Sequence, residues 1–155
     1  GIRDSWASRG LGDVYKRQEE ICRGLFYVHN NVQVIILSAP NNFKRVGEMI
    51  IKMDLDYVVQ SFKTNTILDL AALIDNLDLI ISPDTSVIHI ASTYNKPIVT
   101  IHENNLHSYK LFAPTSKLSR TVFSKSKNSL NGFSVNELIA YCLEIIKIQK
   151  EKDYE

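Results

Sequence analysis

The chain has 155 residues, with 18 Lys and Arg against 17 Asp and Glu, and 45% of its residues are hydrophobic. That length supports one ordinary core and leaves no room for a second domain. A net charge of +1 without a sustained basic stripe excludes the electrostatic footprint of a nucleic-acid binder. No apolar run reaches the ~18 to 20 residues needed to span a bilayer, and the start of the chain lacks the apolar centre of a signal peptide. Cys22 and Cys142 lie far apart on stretches that read as apolar helix faces, which predicts buried, reduced thiols and a cytosolic address.

Residues 1–18 are polar and basic, with Arg3, Arg9, Lys16 and Arg17, and show neither helical nor strand periodicity. The run from Arg9 to Gln18 resembles translated linker or adaptor sequence, so this segment is expected to be a non-native or disordered leader. Gly10-x-Gly12 is half of a dinucleotide fingerprint, but Tyr15 stands where the third glycine belongs and no strand precedes it. The folded domain is expected to run over 19–148, followed by a charged tail at 149–155.

From Glu19 onward, apolar β-rich runs alternate with helical periodicity. A helix is predicted over 19–28, with Ile21, Leu25 and Val28 on one face, then a strand over 32–37. Residues 42–53 follow as a helix burying Phe43, Val46, Met49, Ile50 and Met53, and 57–59 as a short strand. Thr66, with Asp69 three residues on, caps a helix over 67–74 that buries Ile67, Leu70, Ala71 and Ile74. A strand over 79–82 leads through Pro83, Asp84, Thr85 and Ser86 into a helix ending near Tyr94, where Asn95 and Pro97 stop it. Strands over 98–101 and 120–123 come next. Ser134 and Glu137 then open a last helix that buries Val135, Leu138, Ile139, Cys142 and Ile146. This alternation predicts an α/β, Rossmann-like parallel sheet with helices on both faces.

In such sheets ligands bind beyond the carboxyl ends of the strands, and the turn at Ser82–Ser86 occupies that position. Asp84 could accept hydrogen bonds from sugar hydroxyls, while Thr85 and Ser86 offer hydroxyls and amides to a phosphate at a helix start. His89, four residues after Thr85, leans toward the same spot. The plainer readings are that Asp84 or Thr85 only caps the helix and that His89 is a core histidine bonded to backbone. His102 and Glu103 close the next strand on the same rim. The five-residue spacing of His102 and His107 after a strand does not fit the zinc motif, so no metal site is expected.

The stretch Leu70-Ala71-Ala72-Leu73-Ile74, then Asp78 to Ala91 with Asp84, Thr85, Ser86 and His89, then Lys96-Pro97 before the strand over 98–101, resembles the C-terminal, donor-binding half of glycosyltransferase family 9. These are the heptosyltransferase-type enzymes of lipopolysaccharide core synthesis. The resemblance extends over about 19–142. It implies one half of a two-Rossmann-domain (GT-B) glycosyltransferase that moves a sugar, typically heptose from ADP-heptose, to a lipid-linked acceptor without a metal or other cofactor. By matching position, Asp84 would contact the donor sugar, Thr85 and the amide of Ser86 would hold the diphosphate, and His89 would line the pocket.

Three positions depart from the family pattern: Ser86 stands in place of Gly, Asn41 in place of a ribose-binding Glu, and His102-Glu103-Asn104-Asn105 in place of a Gly-Pro-Thr turn. Asn41, His102 and Glu103 are therefore expected nucleotide or rim contacts, on a branch whose donor need not be heptose. The resemblance also implies an acceptor domain with a catalytic Asp and an opening strand bearing a Lys, and neither has a match here. Gly12-Asp13-Val14 imitates the motif around that Asp but lacks the apolar strand before it, so no catalytic residue is assigned in this chain.

The fragment is expected to be inactive alone and to self-associate through an exposed strand edge. Its position would be cytoplasmic, peripheral at the inner face of the bacterial inner membrane where a lipid-linked acceptor lies. The competing reading is a small doubly wound nucleotide- or phosphate-binding or regulatory domain without transferase activity.

Overall fold

The computed structural model describes residues 11–83 and 85–154, with side chains from residue 17 onward. The expectation for residues 1–10 lies outside the described residues. The chain forms two compact units, Gly1–Leu73 and Ile74–Glu155, each built on its own parallel sheet.

In the first unit, α1 (Leu11–Val28) leads to β1 (Val34–Ile36), α2 (Phe43–Met53) and β2 (Val58–Gln60), and β1 pairs with β2 in parallel with Val34 opposite Val58. Parallel neighbours need a crossover, which α2 supplies. Cys22, Ile36, Val46, Met49, Met53 and Val58 form the core, and Phe26 stacks on Tyr57 with centroids 4.2 Å apart. Helix α1 begins at Leu11, eight residues before the sequence start at Glu19. Extending a formed helix adds a hydrogen bond per residue fixed, so it needs no apolar face of its own.

Helix α3 (Ile67–Asp75) carries the expected cap, with Thr66 N–H donating to Asp69 at 3.0 Å and Asp69 N–H donating to Thr66 at 3.2 Å. Its buried residues are Leu70, Leu73 and Ile74, whereas Ile67 is 57% exposed. The predicted face is therefore rotated by about one residue.

In the second unit, β3 (Ile80–Pro83), α4 (Ser86–Thr93), β4 (Ile98–His102), α5 (Leu106–Phe112), β5 (Ser119–Phe123) and α6 (Val135–Asp153) follow in order. The strands run parallel as β3-β4-β5, with Ser82 opposite Thr100 and Thr100 opposite Thr121. All five residues of the central β4 are buried. Neighbouring residues of a strand point to opposite faces. Thr121 meets Tyr109 of α5 at 2.8 Å and Arg120 meets Glu144 of α6 at 2.7 Å, so this sheet has a helix on each face.

Pro83, expected to terminate the strand, is its last paired residue, opposite Ile101. It costs the sheet no bond there because proline is tolerated on edge strands. Asn95 adopts the left-handed conformation (φ 52°) that ends α4, as expected. Two features of the last helix differ from the sequence pattern. Its buried stripe is Leu138, Cys142 and Ile145 rather than Ile146, and it continues to Asp153 through residues expected to fray. Lys150 and Lys152 in the final turn oppose the helix dipole and favour that extension.

The two thiols are free and buried, one in each unit. Burial raises Cys142 to about 12, and burial with the Glu19 carboxylate nearby raises Cys22 to about 11. Raised folded-state values mean that the thiols' contribution to stability is complete below the unfolded-state value near 9 and is lost as pH climbs through 11 to 12. Denaturant midpoints should therefore fall above pH 9 and depend little on the thiols below it. At pH 8 the native chain should resist iodoacetamide and the unfolded chain should take up two equivalents, as mass spectrometry would read.

Candidate functional site

The carboxyl end of β3 and the start of α4 bring together Ser82, Thr85 and Ser86. Thr85 is extended (φ −146°, ψ 177°) and is the N-cap of α4, its hydroxyl accepting from Val87 N–H at 3.3 Å. Its carbonyl accepts from Ile88 N–H at 3.1 Å. The buried Ser82 hydroxyl lies 3.2 Å from the Thr85 hydroxyl and donates to the Pro83 carbonyl at 3.0 Å, fixing the threonine from the strand side. Sequence reasoning missed this contact, although a hydroxyl three residues before a cap was its visible trace.

The cap reading of Thr85 is thus correct as far as it goes. It leaves Ser86 unexplained. Ser86 Oγ is buried yet has no hydrogen-bond partner among the described residues. A buried hydroxyl left unpaired costs about 1–3 kcal/mol, and an anion or sugar oxygen at the helix start would recover that. Below it, α4 is held by Ile88 and Ala91, both fully buried against β3 and β4. Asp84 lies outside the described residues.

His89 is exposed on α4, its ring edge-on to Phe112 at 6.5 Å between centroids. His102 is buried, with Nδ1 2.8 Å from the Glu103 carbonyl oxygen and its ring edge-on to Tyr109 (5.4 Å) and Phe123 (6.4 Å). That ring forms part of the packing between α5 and the sheet. Glu103 is half-buried just beyond it. In the other unit, Asn41 is exposed within the single 3-10 turn Pro40–Asn42 that follows β1. Thr85, Ser86 and His89 therefore share one strand-turn-helix, with His102 and Glu103 ending the neighbouring strand.

Among the described residues no group of three or more His, Cys, Asp or Glu is placed to hold a metal. Tyr109 and Thr121, joined at 2.8 Å, extend the polar row Ser82–Thr100–Thr121 across the sheet. No feature of the sequence pairs them, because α5 is too short to show a periodicity.

Residues 26–137 match the family model for glycosyltransferase family 9 (heptosyltransferase). The chain belongs to glycosyltransferase family 9. Its fold is similar to that of E. coli heptosyltransferase WaaC, solved with ADP, with a TM-score of 0.68 and 17% sequence identity. That match covers 84% of this chain and 39% of the other, so the chain spans well under half the length of the solved relative. No curated protein matches the sequence. Family membership and the parallel sheets establish the Rossmann-like α/β fold expected from the sequence.

Proposed function

We propose that this family 9 chain is the donor-binding part of a glycosyltransferase, and that the β3–α4 turn grips the diphosphate of a nucleotide sugar. The observation that carries the reading is the buried, unpartnered Ser86 hydroxyl at a helix start on the carboxyl end of a parallel strand. Of the first amides of α4, those of Val87 and Ile88 bond to Thr85, and that of Ser86 precedes them at the helix start, where the reading assigns it to the ligand. The helix dipole adds to that attraction. Asp84 would hold sugar hydroxyls and His89 would line the pocket, with Glu103 as a rim contact; His102, buried under α5, would support the rim from behind.

Sugar transfer breaks the bond between the anomeric carbon and the diphosphate oxygen while an acceptor hydroxyl bonds to that carbon. Negative charge then builds on the departing diphosphate. Amides and hydroxyls already aimed at that group stabilise the charge without a metal. The proton of the acceptor hydroxyl needs a base within hydrogen-bond reach, which this reading assigns to a separate acceptor-binding domain. The family favours ADP-heptose as donor and a lipopolysaccharide-core, lipid-linked saccharide as acceptor, at the cytoplasmic face of the inner membrane. The three departures from the family pattern favour testing other donors as well.

Titration calorimetry with ADP, ADP-heptose and UDP-sugars tests the reading. Binding of ADP or ADP-heptose, weakened at least tenfold by Asp84→Ala, is the expected result; absence of heat with every nucleotide would remove the claim.

A further expectation concerns the edge of β3. Among the described residues β3 pairs only with β4 in its sheet, and the four residues Ile80 to Pro83 carry no charge. Uncharged open edges recruit other strands. Sedimentation velocity should show dimers or larger species that dissociate on Ile81→Lys, whereas a concentration-independent monomer would exclude edge pairing.

A further inference from the structure

Of the twelve asparagines in the chain, Asn131 alone is followed by glycine. Asparagine is a thermolabile residue because the main-chain nitrogen of the next residue can attack its side-chain amide carbon. A Cβ on that next residue obstructs the approach, and glycine removes the obstruction.

The pair lies in the loop between β5 and α6, where Asn131 is exposed. Its main chain is held on both sides: Lys125 N–H donates to the Asn131 carbonyl at 3.2 Å, and Asn131 N–H donates to the Ser129 hydroxyl at 3.4 Å. The two groups that would react stand outside those bonds. Among the described residues nothing accepts from Gly132 N–H and nothing bonds the Asn131 side-chain amide. Other asparagines are engaged, since the side-chain oxygens of Asn42, Asn95 and Asn105 accept from Arg45, Lys117 N–H and Ser108 N–H. Gly132 has φ +78°, and a Cβ there would meet the Lys125 side-chain stem at 3.1 Å, so a lysine chain lies across the reacting bond. No Asp or Glu occurs between Glu103 and Glu137 to oppose a new negative charge there.

We propose that Asn131 is a site of self-modification, at which the folded chain deamidates through a succinimide closed by Gly132. Hydroxide takes the Gly132 amide proton, the nitrogen bonds to Asn131 Cγ, and the bond from Cγ to the side-chain nitrogen breaks, releasing ammonia with a proton from water. Water then opens the ring. Breaking the ring bond at Cγ leaves aspartate, while breaking the one at the main-chain carbonyl leaves isoaspartate. One water is consumed and one ammonia released.

Isoaspartate lengthens the main chain by a methylene and displaces the carbonyl that Lys125 N–H now holds. The same loop is tied to the strand β4 rim, with Asn104 N–H donating to the Ser126 carbonyl at 2.9 Å and the buried Ser124 hydroxyl contacting the carbonyls of Ser126 (2.8 Å) and Ser129 (2.6 Å). Modification therefore loosens a loop fastened beside Glu103. The inference is independent of nucleotide binding.

Peptide mass spectrometry of the full chain aged at pH 7, 8 and 9, with isoaspartyl methyltransferase labelling, tests it. The expected result is that Asn131 deamidates first of all the asparagines, faster as pH rises, and yields both aspartate and isoaspartate. The native rate at Asn131 should approach that in urea, whereas Asn95 and Asn105 should be protected by folding. Gly132→Ala should slow the reaction by roughly tenfold or more. Alanine is strained at this φ, so its thermal transition is measured alongside; Asn131→Gln leaves the turn unaltered and should abolish early ammonia release, because a longer side chain closes a larger ring more slowly. Earlier deamidation elsewhere, protection of Asn131 equal to that of Asn95 and Asn105, or a product free of isoaspartate would overturn the proposal.

Discussion

Ile101→Ala is expected to destabilise the second unit by about 2–5 kcal/mol, the range for removing a fully buried isoleucine side chain. Ile101 has no exposed surface and lies in the central strand, opposite Pro83 on one side and Val122 on the other. The cavity would open beside the last residue of β3, the base of the proposed donor turn. Since whole domains are stable by only ~5–15 kcal/mol, urea denaturation should show a sharply lowered midpoint. Nucleotide binding should weaken with it. Ile67→Ala is the control: a residue 57% exposed should change stability by no more than about 0.5 kcal/mol. Equal effects at the two positions would contradict the core described above.

Ser86→Asp separates folding from binding. An acidic side chain at the first position of α4 is favoured by the helix dipole by about 0.3–1 kcal/mol, which offsets only part of the cost of placing a carboxylate where the buried Ser86 oxygen sits. The same charge would face a diphosphate at about 4 Å. Repulsion there is worth roughly 1 kcal/mol in water and 4 kcal/mol at an effective dielectric of 20. Affinity should therefore drop by roughly five- to several-hundred-fold, with a lowered unfolding midpoint but a cooperative transition that shows the chain still folds. Calorimetry with ADP and urea denaturation of the same sample would read both. Wild-type affinity in Ser86→Asp would mean that the diphosphate does not sit at this turn.

The parts of the fold that were legible in the sequence were those with strong local chemistry. Strand β4 is a β-branched, mostly apolar run, Ile98-Val99-Thr100-Ile101, Thr66 and Asp69 form their reciprocal cap, Ser134 accepts from Glu137 N–H, and Asn95 takes the left-handed turn before Pro97. Elements governed by tertiary packing were not legible. Helix α5 points leucines outward, so no inward apolar stripe announces it. The exchange of Ile145 for Ile146 in α6 depends on the exact angle at which that helix meets the sheet, which a pattern repeating near 3.6 residues does not specify.

The candidate site divides in the same way. Thr85 as a cap could be read from residue type and position. Two details could not be: Ser82 bracing Thr85, and the Ser86 oxygen left without a partner among the described residues. Both depend on the way Pro83 joins the strand rather than ending before it. The expected lean of His89 toward the turn rested on helix geometry as a general tendency. Its observed neighbour, Phe112, belongs to the helix that the sequence concealed. His102 shows the opposite limit, since a position at the end of a strand suggests a rim while α5 buries the ring.

The central claim, that the β3–α4 turn receives a nucleotide diphosphate, is tested most directly by amide chemical shifts in an ADP titration. The account predicts that the largest and earliest shifts fall on Thr85, Ser86 and Val87. Shifts confined to other parts of the chain, or none at millimolar ADP, would contradict it.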